Sequence, residues 1–223
     1  MLCHNISDTG GQSTNNGWRK RLFAYLLAKN GHRIDKLVSE YKQSLLPGLS
    51  GTVLEIGPGT GDNFAYFSPG ITWIGIEPNR FMHPYIMEKA KKFGITADLR
   101  HGYAERIDIG NNSIDAVVST HVLCSVSEPS TAVQEIVRVL KPGGKFVFIE
   151  HITASEGTFL RKVQSLIRPM WGFFADGCRP DSDTQRILKE AGFECVSYQR
   201  FRMSPRLICP VSPHIYGLAT KAL

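Results

Sequence analysis

Glu55-Ile56-Gly57-Pro58-Gly59-Thr60-Gly61 sets three glycines at alternate positions behind a carboxylate. The apolar run Thr52-Val53-Leu54 precedes it and reads as a buried strand; Asp62 to Phe67 follows and reads as a helix start. Glycines at such a turn take positive φ and carry no Cβ, so backbone can pass close to a ligand. A second apolar run, Thr72 to Glu77, ends in a carboxylate about 20 residues downstream, where an acid can hold the two hydroxyls of a ribose.

Two ligands fit that pattern. A dinucleotide site favours G-x-G-x-x-G, with a helix N-terminus facing the pyrophosphate. Here the spacing is G-x-G-x-G, and Glu55 enters the loop. A carboxylate repels a pyrophosphate, but it attracts a sulfonium and the α-ammonium of a methionine. The charge therefore selects S-adenosyl-L-methionine as cofactor. The matching chemistry is in-line displacement at a methyl carbon. That reaction needs a positioned nucleophile, exclusion of water and, for some acceptors, a base. Titratable candidates for the mouth of such a site are His121, Cys124, Glu150, His151, Asp176, Cys178, Arg179 and His214. A neutral histidine there can accept a proton near pH 7, and each can equally serve as a hydrogen-bonding residue. No metal is expected: the cysteines are Cys3, Cys124, Cys178, Cys195 and Cys209, an odd number without a C-x-x-C. Cys195 and Cys209 read as buried small apolar residues.

The elements that must position these groups alternate. Amphipathic helices are expected over Trp18–Ala28 and Ile34–Leu45, the second stopped by Pro47-Gly48. Strands follow at Thr52–Ile56, Thr72–Glu77, near Leu99, Ala116–Ser119 and Lys145–Glu150, with helices from Asp62, Phe81 to Phe93, and Ser130 to Leu140. A short helix at Asp183–Ala191 and strands at Glu194–Phe201 and Ile215–Lys221 close the chain. Such alternation specifies a parallel sheet wrapped by helices, a single-domain α/β fold. One insertion, Thr158 to Pro180, breaks the rhythm. Its aromatic, helically spaced residues, with Arg161, Lys162 and Arg168 between them, read as a packed helix or as a roof over the substrate.

In this order the segments resemble the Rossmann-like S-adenosylmethionine-dependent methyltransferases, over roughly residues 35–223. The resemblance implies a seven-stranded, mostly parallel sheet with an antiparallel last strand. It implies cofactor contacts from Glu55, Gly57, Pro58, Gly59, Thr60, Gly61 and Asn63 in the first turn, and from Glu77 and Pro78 after the second strand. Tyr103, Ala104 and Glu105 match the adenine-contacting segment, and Thr120 and His121 match the end of the fourth strand. A finer set resembles the membrane-anchored alkyl-thiol methyltransferases: His121 to Val126, Arg138 to Gly144, Glu150-His151, Asp176-Gly177-Cys178 and Pro213 to Gly217. From their places at the sheet edge and in these motifs, His151, His121 and Asp176 are the catalytic candidates, and Cys124, Cys178, His214 and Tyr216, with Trp171 and Phe174 of the aromatic insertion, are the substrate-binding candidates. That family carries a hydrophobic N-terminal anchor, whereas residues 1–17 here are polar and read as a flexible arm.

Bulk properties bound the remainder. The chain has 223 residues, enough for one sizeable core, and 42% hydrophobic residues, normal for a globular protein. Net charge is +6, but the basic residues are spread out, so no nucleic-acid partner is expected. No partner protein is inferred. No run of 18 apolar residues exists, and cysteine usage fits a reducing compartment, so the expected location is cytoplasmic, either free or peripherally attached to a membrane. The expected function is methyl transfer to a small lipophilic acceptor, with a thiol favoured. O- or N-methylation of a lipid, quinone or secondary metabolite is the alternative enzyme, and a non-catalytic cofactor-binding scaffold the alternative class.

Overall fold

The computed structural model describes residues 17–203 and 210–223. The polar arm expected at residues 1–17 lies almost wholly outside the described residues, as does Cys209. Helix α1 spans Gly17–Leu45. Strands and helices then alternate: β1 (Thr52–Ile56), β2 (Thr72–Ile76), α2 (His83–Lys92), β3 (Ala97–Arg100), β4 (Ile114–Thr120), α3 (Pro129–Val139) and β5 (Leu140–His151). Helix α4 (Phe159–Phe174), α5 (Thr184–Glu190), β6 (Cys195–Arg202) and β7 (Pro213–Thr220) complete the order.

Among the described residues the strands form one seven-stranded sheet in the order β3-β2-β1-β4-β5-β7-β6. Strands β1 to β5 pair in parallel, and β7 runs antiparallel to both of its neighbours. This is the expected α/β architecture. Val53, Leu54 and Ile56 of β1 and Ala116, Val117 and Val118 of β4 are buried, as strands covered on both faces require. Sequence order reverses between β1 and β4, so a crevice opens at their carboxyl ends, where such sheets place ligands. The glycine turn after β1 and the histidine after β4 meet there.

Several boundaries differ from expectation. The two expected N-terminal helices are one continuous α1. Gly31, which falls between the two expected helices, is buried against the glycine turn, where an added Cβ would stand 3.1 Å from Asp62 Oδ2. The glycine thus serves close helix–turn packing. The helix expected from Asp62 is a single 3-10 turn, Asp62–Ala65. Strand β5 starts earlier than expected because Leu140 pairs with Ile114, with a register shift before Lys145 pairs with Ala116. Cys195 is exposed, not buried: it is the first residue of the edge strand β6.

Helix α4 docks in an unexpected way. Its one buried residue is Gln164, not part of its apolar face. Gln164 Oε1 accepts from the Ala154 N–H at 2.7 Å, and its amide donates to the carbonyls of Pro210 at 2.7 Å and Ile152 at 3.3 Å. Leu166 and Phe174 are left 81% and 74% exposed.

Candidate active site

The site starts from the buried carboxylate at the penultimate residue of β1. Glu55 accepts from Trp73 Nε1 and from Asn63 Nδ2, each at 2.8 Å. The indole of Trp73 is fully buried in β2 and folds over Gly75, where a Cβ would fall 2.1 Å from the ring. Burial lifts the Glu55 carboxyl to about 7 against the pull of these two donors. Asn63 Nδ2 also donates to Thr120 Oγ1 at 3.1 Å, which ties the turn to the end of β4. Asn63 Oδ1 is buried without a partner among the described residues. An unpaired buried acceptor beside a carboxylate fits an incoming ammonium.

The second corner is Glu77, directly after β2. It accepts the Gly59 N–H at 3.1 Å and the Asn79 N–H at 2.8 Å, one on each oxygen. Each oxygen keeps a lone pair for a further donor, as two ribose hydroxyls require. Burial raises its pKa to about 7. Gly59 sits at φ +59°, in the left-handed region, and that conformation aims its N–H at Glu77.

Histidines form the third corner. His214 Nδ1 lies 3.0 Å from the Ser212 carbonyl, and its Nε2 lies 3.1 Å from His121 Nε2. A carbonyl only accepts, so His214 carries its proton on Nδ1 and accepts from His121 Nε2–H. Burial holds His214 down to about 4. Burial, then His214 and His151, keep His121 well below its ordinary value. Both rings are neutral at pH 7. His151, paired with His214 across the β5–β7 ladder, places Nε2 3.0 Å from Cys178 Sγ. Cys124 Sγ faces the His121 carbonyl at 3.6 Å and lies within 4.8 Å of Cys178 Sγ; this neighbour and burial push the Cys124 thiol up, while Cys124 and His151 pull the Cys178 thiol down to about 5. The loop after α4 is fixed by the Arg179 N–H to the Cys124 carbonyl at 2.9 Å and by Arg179 Nη2 to the Val126 carbonyl at 2.7 Å.

These corners line one cavity of about 630 Å³. It gathers Glu55, Gly57, Pro58, Gly59, Thr60, Asn63, Glu77, Pro78, Tyr103, Ala104, Glu105, Thr120, His121, Cys124, His151, Trp171, Asp176, Cys178 and His214, all expected from sequence. Some roles shift. Glu105 Oε1 accepts the Ser127 N–H at 2.7 Å and so fixes the approach to α3. Asp176 accepts from Asn79 Nδ2 at 3.4 Å and belongs to the Glu77 corner, not to the histidines. Gly61 stands behind the cavity wall, its Cβ position filled by the Phe64 ring. Phe174 and Tyr216 also fall outside the cavity. Phe174 points to solvent at the end of α4. The Tyr216 ring packs at a tilt against Tyr41 of α1, centroids 4.4 Å apart, and its hydroxyl donates to Gln199 at 2.7 Å, so it anchors α1 to β7 and its edge neighbour β6. Sequence reading missed the α1 wall: Phe23, Leu27, Val38, Asp35 and Lys42. The available signal was a buried ion pair one helical face apart, Lys42 to Asp35 at 2.7 Å, with Tyr66 donating to the same carboxylate.

The family model described as methyltransferase domain matches residues 54–148. The thiol S-methyltransferase TMT1B of Rattus norvegicus is 33% identical over 219 residues, covering 91% of this chain and 87% of that protein. The thiol S-methyltransferase TMT1A of Homo sapiens is 32% identical with the same coverage. The chain belongs to this methyltransferase family. Its fold is also that of the YcgJ protein of Bacillus subtilis, with a TM-score of 0.63 and 19% identity over 84% of this chain and 98% of that one. The methyltransferase uses S-adenosyl-L-methionine, and the carboxylate, asparagine and glycine arrangement fits that cofactor. Bound there, it supplies an electrophilic methyl group on a sulfonium. No helix among the described residues is long and apolar enough to cross a membrane.

Proposed function

We propose that this methyltransferase acts on the sulfur of a small lipophilic thiol. The carrying observation is the state of the bases at the mouth. His121 and His214 spend their facing nitrogens on each other, Nε2 to Nε2 at 3.1 Å, and burial holds both below their ordinary pKa range. Such weak bases cannot ionise an alcohol, whereas a thiol with a pKa near 8.5 needs little help. The thiol proton leaves to His151 or directly to water. Apolar residues of α1 (Phe23, Leu27, Val38) and Trp171 of α4 line the cavity, so they suit an apolar acceptor body and exclude water. Asn63 Oδ1 and Glu55 hold the methionine ammonium, and Glu77 holds the ribose. The names of the relatives in rat and human support the thiol reading.

We also place the chain at a lipid surface from the cytoplasmic side, through the exposed Leu166, Met170 and Phe174 with Arg161 and Lys162 on the same helix. The test of the acceptor is the pH dependence of turnover with a thiol and a phenol of similar shape. Faster turnover of the thiol across neutral pH is expected. Much faster turnover of the phenol at every pH overturns the reading.

A further inference from the structure

Cys124, His151 and Cys178 come from three separate segments: the loop after β4, the end of β5 and the loop after α4. Their ligand atoms all lie within 4.8 Å of one another. All three side chains line the cavity. Cys124 and His151 are buried, and Cys178 is half-buried. The loops are braced without help from the sulfurs: Arg179 ties its own segment to the carbonyls of Cys124 and Val126, and His151 is held in the β5–β7 ladder.

We propose that Cys124, His151 and Cys178 bind a zinc ion whose fourth position faces the cavity and takes the acceptor sulfur. Two thiolates and one imidazole are a donor set that Zn²⁺ accepts, with bonds of about 2.3 Å to sulfur and about 2.0 Å to nitrogen. Tetrahedral bonds of that length separate ligand atoms by roughly 3.5–3.8 Å. The observed cluster is already near this size: His151 Nε2 and Cys178 Sγ, at 3.0 Å, need only open slightly. Three protein ligands with one open corner is the arrangement of a zinc site that processes a ligand, not of a closed structural one.

This inference rests on the thiol reading and assigns its activating group. The acceptor R–SH binds the ion as a thiolate and its proton passes to water, so His151 is then a ligand and not the base. A sulfur lone pair forms the new S–CH₃ bond. The bond from that methyl to the sulfonium breaks, and its electron pair stays on the departing thioether. The S-methylated product is a neutral thioether and a weak zinc ligand, so it leaves. The ion is not consumed and no oxidant is needed.

The test uses the full chain, stripped with a chelator and then loaded with Zn²⁺ or Co²⁺. One ion per chain is expected, with a thiolate-to-cobalt charge-transfer absorption that C124S and C178S each largely lose. Both variants should still bind S-adenosylmethionine in calorimetry, which shows that they are folded. Adding a small alkyl thiol to the Co²⁺ form should change its absorption, and turnover of that thiol should fall on stripping and return with Zn²⁺. If the wild-type chain binds no ion, or an ion that neither variant perturbs, the site is overturned. Full thiol turnover by the stripped chain overturns the activation step and leaves the thiol reading intact. A cobalt spectrum that is cysteine-dependent but indifferent to thiol, in a chain that methylates only phenols, keeps the ion site and overturns the thiol reading.

Discussion

Replacing Glu77 tests the geometry of the cofactor site at its tightest point. Its two oxygens each take one backbone N–H, from Gly59 at 3.1 Å and Asn79 at 2.8 Å. Glu77→Ala therefore removes the ribose acceptor and frees the glycine turn. A hydrogen bond to a charged group contributes about 1.5–3 kcal/mol, and each 1.4 kcal/mol is tenfold, so affinity should fall about tenfold to a hundredfold. Glu77→Gln should fail nearly as badly. Its amide has one oxygen for two backbone donors, and its NH₂ would face an N–H. Calorimetric titration with S-adenosylhomocysteine and with an analogue lacking one ribose hydroxyl separates the two effects. Wild type should lose affinity for the deoxy analogue, and Glu77→Ala should bind both ligands equally. Unchanged affinity in folded variants, or an equal penalty for the missing hydroxyl with and without Glu77, refutes the ribose assignment.

Four further outcomes follow from the same geometry. Gly59→Val forces a β-branched residue to φ +59° with its Cβ 3.4 Å from Leu27, so S-adenosylmethionine binding should be lost while circular dichroism stays native; normal binding would separate the turn from the ligand. Trp171→Ala should raise the acceptor KM more than that of S-adenosylmethionine, and equal effects would give Trp171 a structural role. Gln164→Leu leaves the Ala154 N–H and the Ile152 and Pro210 carbonyls unpaired, which should destabilise the protein by about 2–4 kcal/mol in denaturant unfolding; a change within error would show that α4 is held by other contacts. Burial raises Glu55, Glu77 and Glu150 from 4.5 to about 7, so the folded ligand-free protein keeps protons that the unfolded chain has released. Its stability should fall as pH rises from about 4.5 to about 7. Cofactor binding near pH 6.5 should release protons, seen as an enthalpy that depends on the buffer; a buffer-independent enthalpy contradicts this.

The parallel core and its switch point were legible because fully buried strands read as apolar runs with glycine at their ends. The glycine turn and Glu77 were legible for the same reason, since both lie next to strands. What the sequence hid is what only tertiary contact creates. Gly31 falls in the gap between the two expected helices, and only the approach of Asp62 explains a glycine there. Trp73 reads as a core residue, yet it also holds Glu55 by a side-chain bond 18 residues back in the chain. Tyr216 sits in a motif suggestive of a site, but alternation along β7 turns its ring to α1. Cys124, His151 and Cys178 lie 27 or more residues apart in sequence, so no local spacing announces that they meet.

The most direct measurement of the central claim is transfer of an isotopically labelled methyl group from S-adenosylmethionine to a small alkyl thiol by the purified chain. Products are to be identified by mass spectrometry. The expected result is the labelled S-methyl thioether and S-adenosylhomocysteine in equal amounts, lost in Glu77→Ala at low cofactor concentration. Label appearing only on oxygen or nitrogen acceptors, with no thioether from any lipophilic thiol offered, would contradict it.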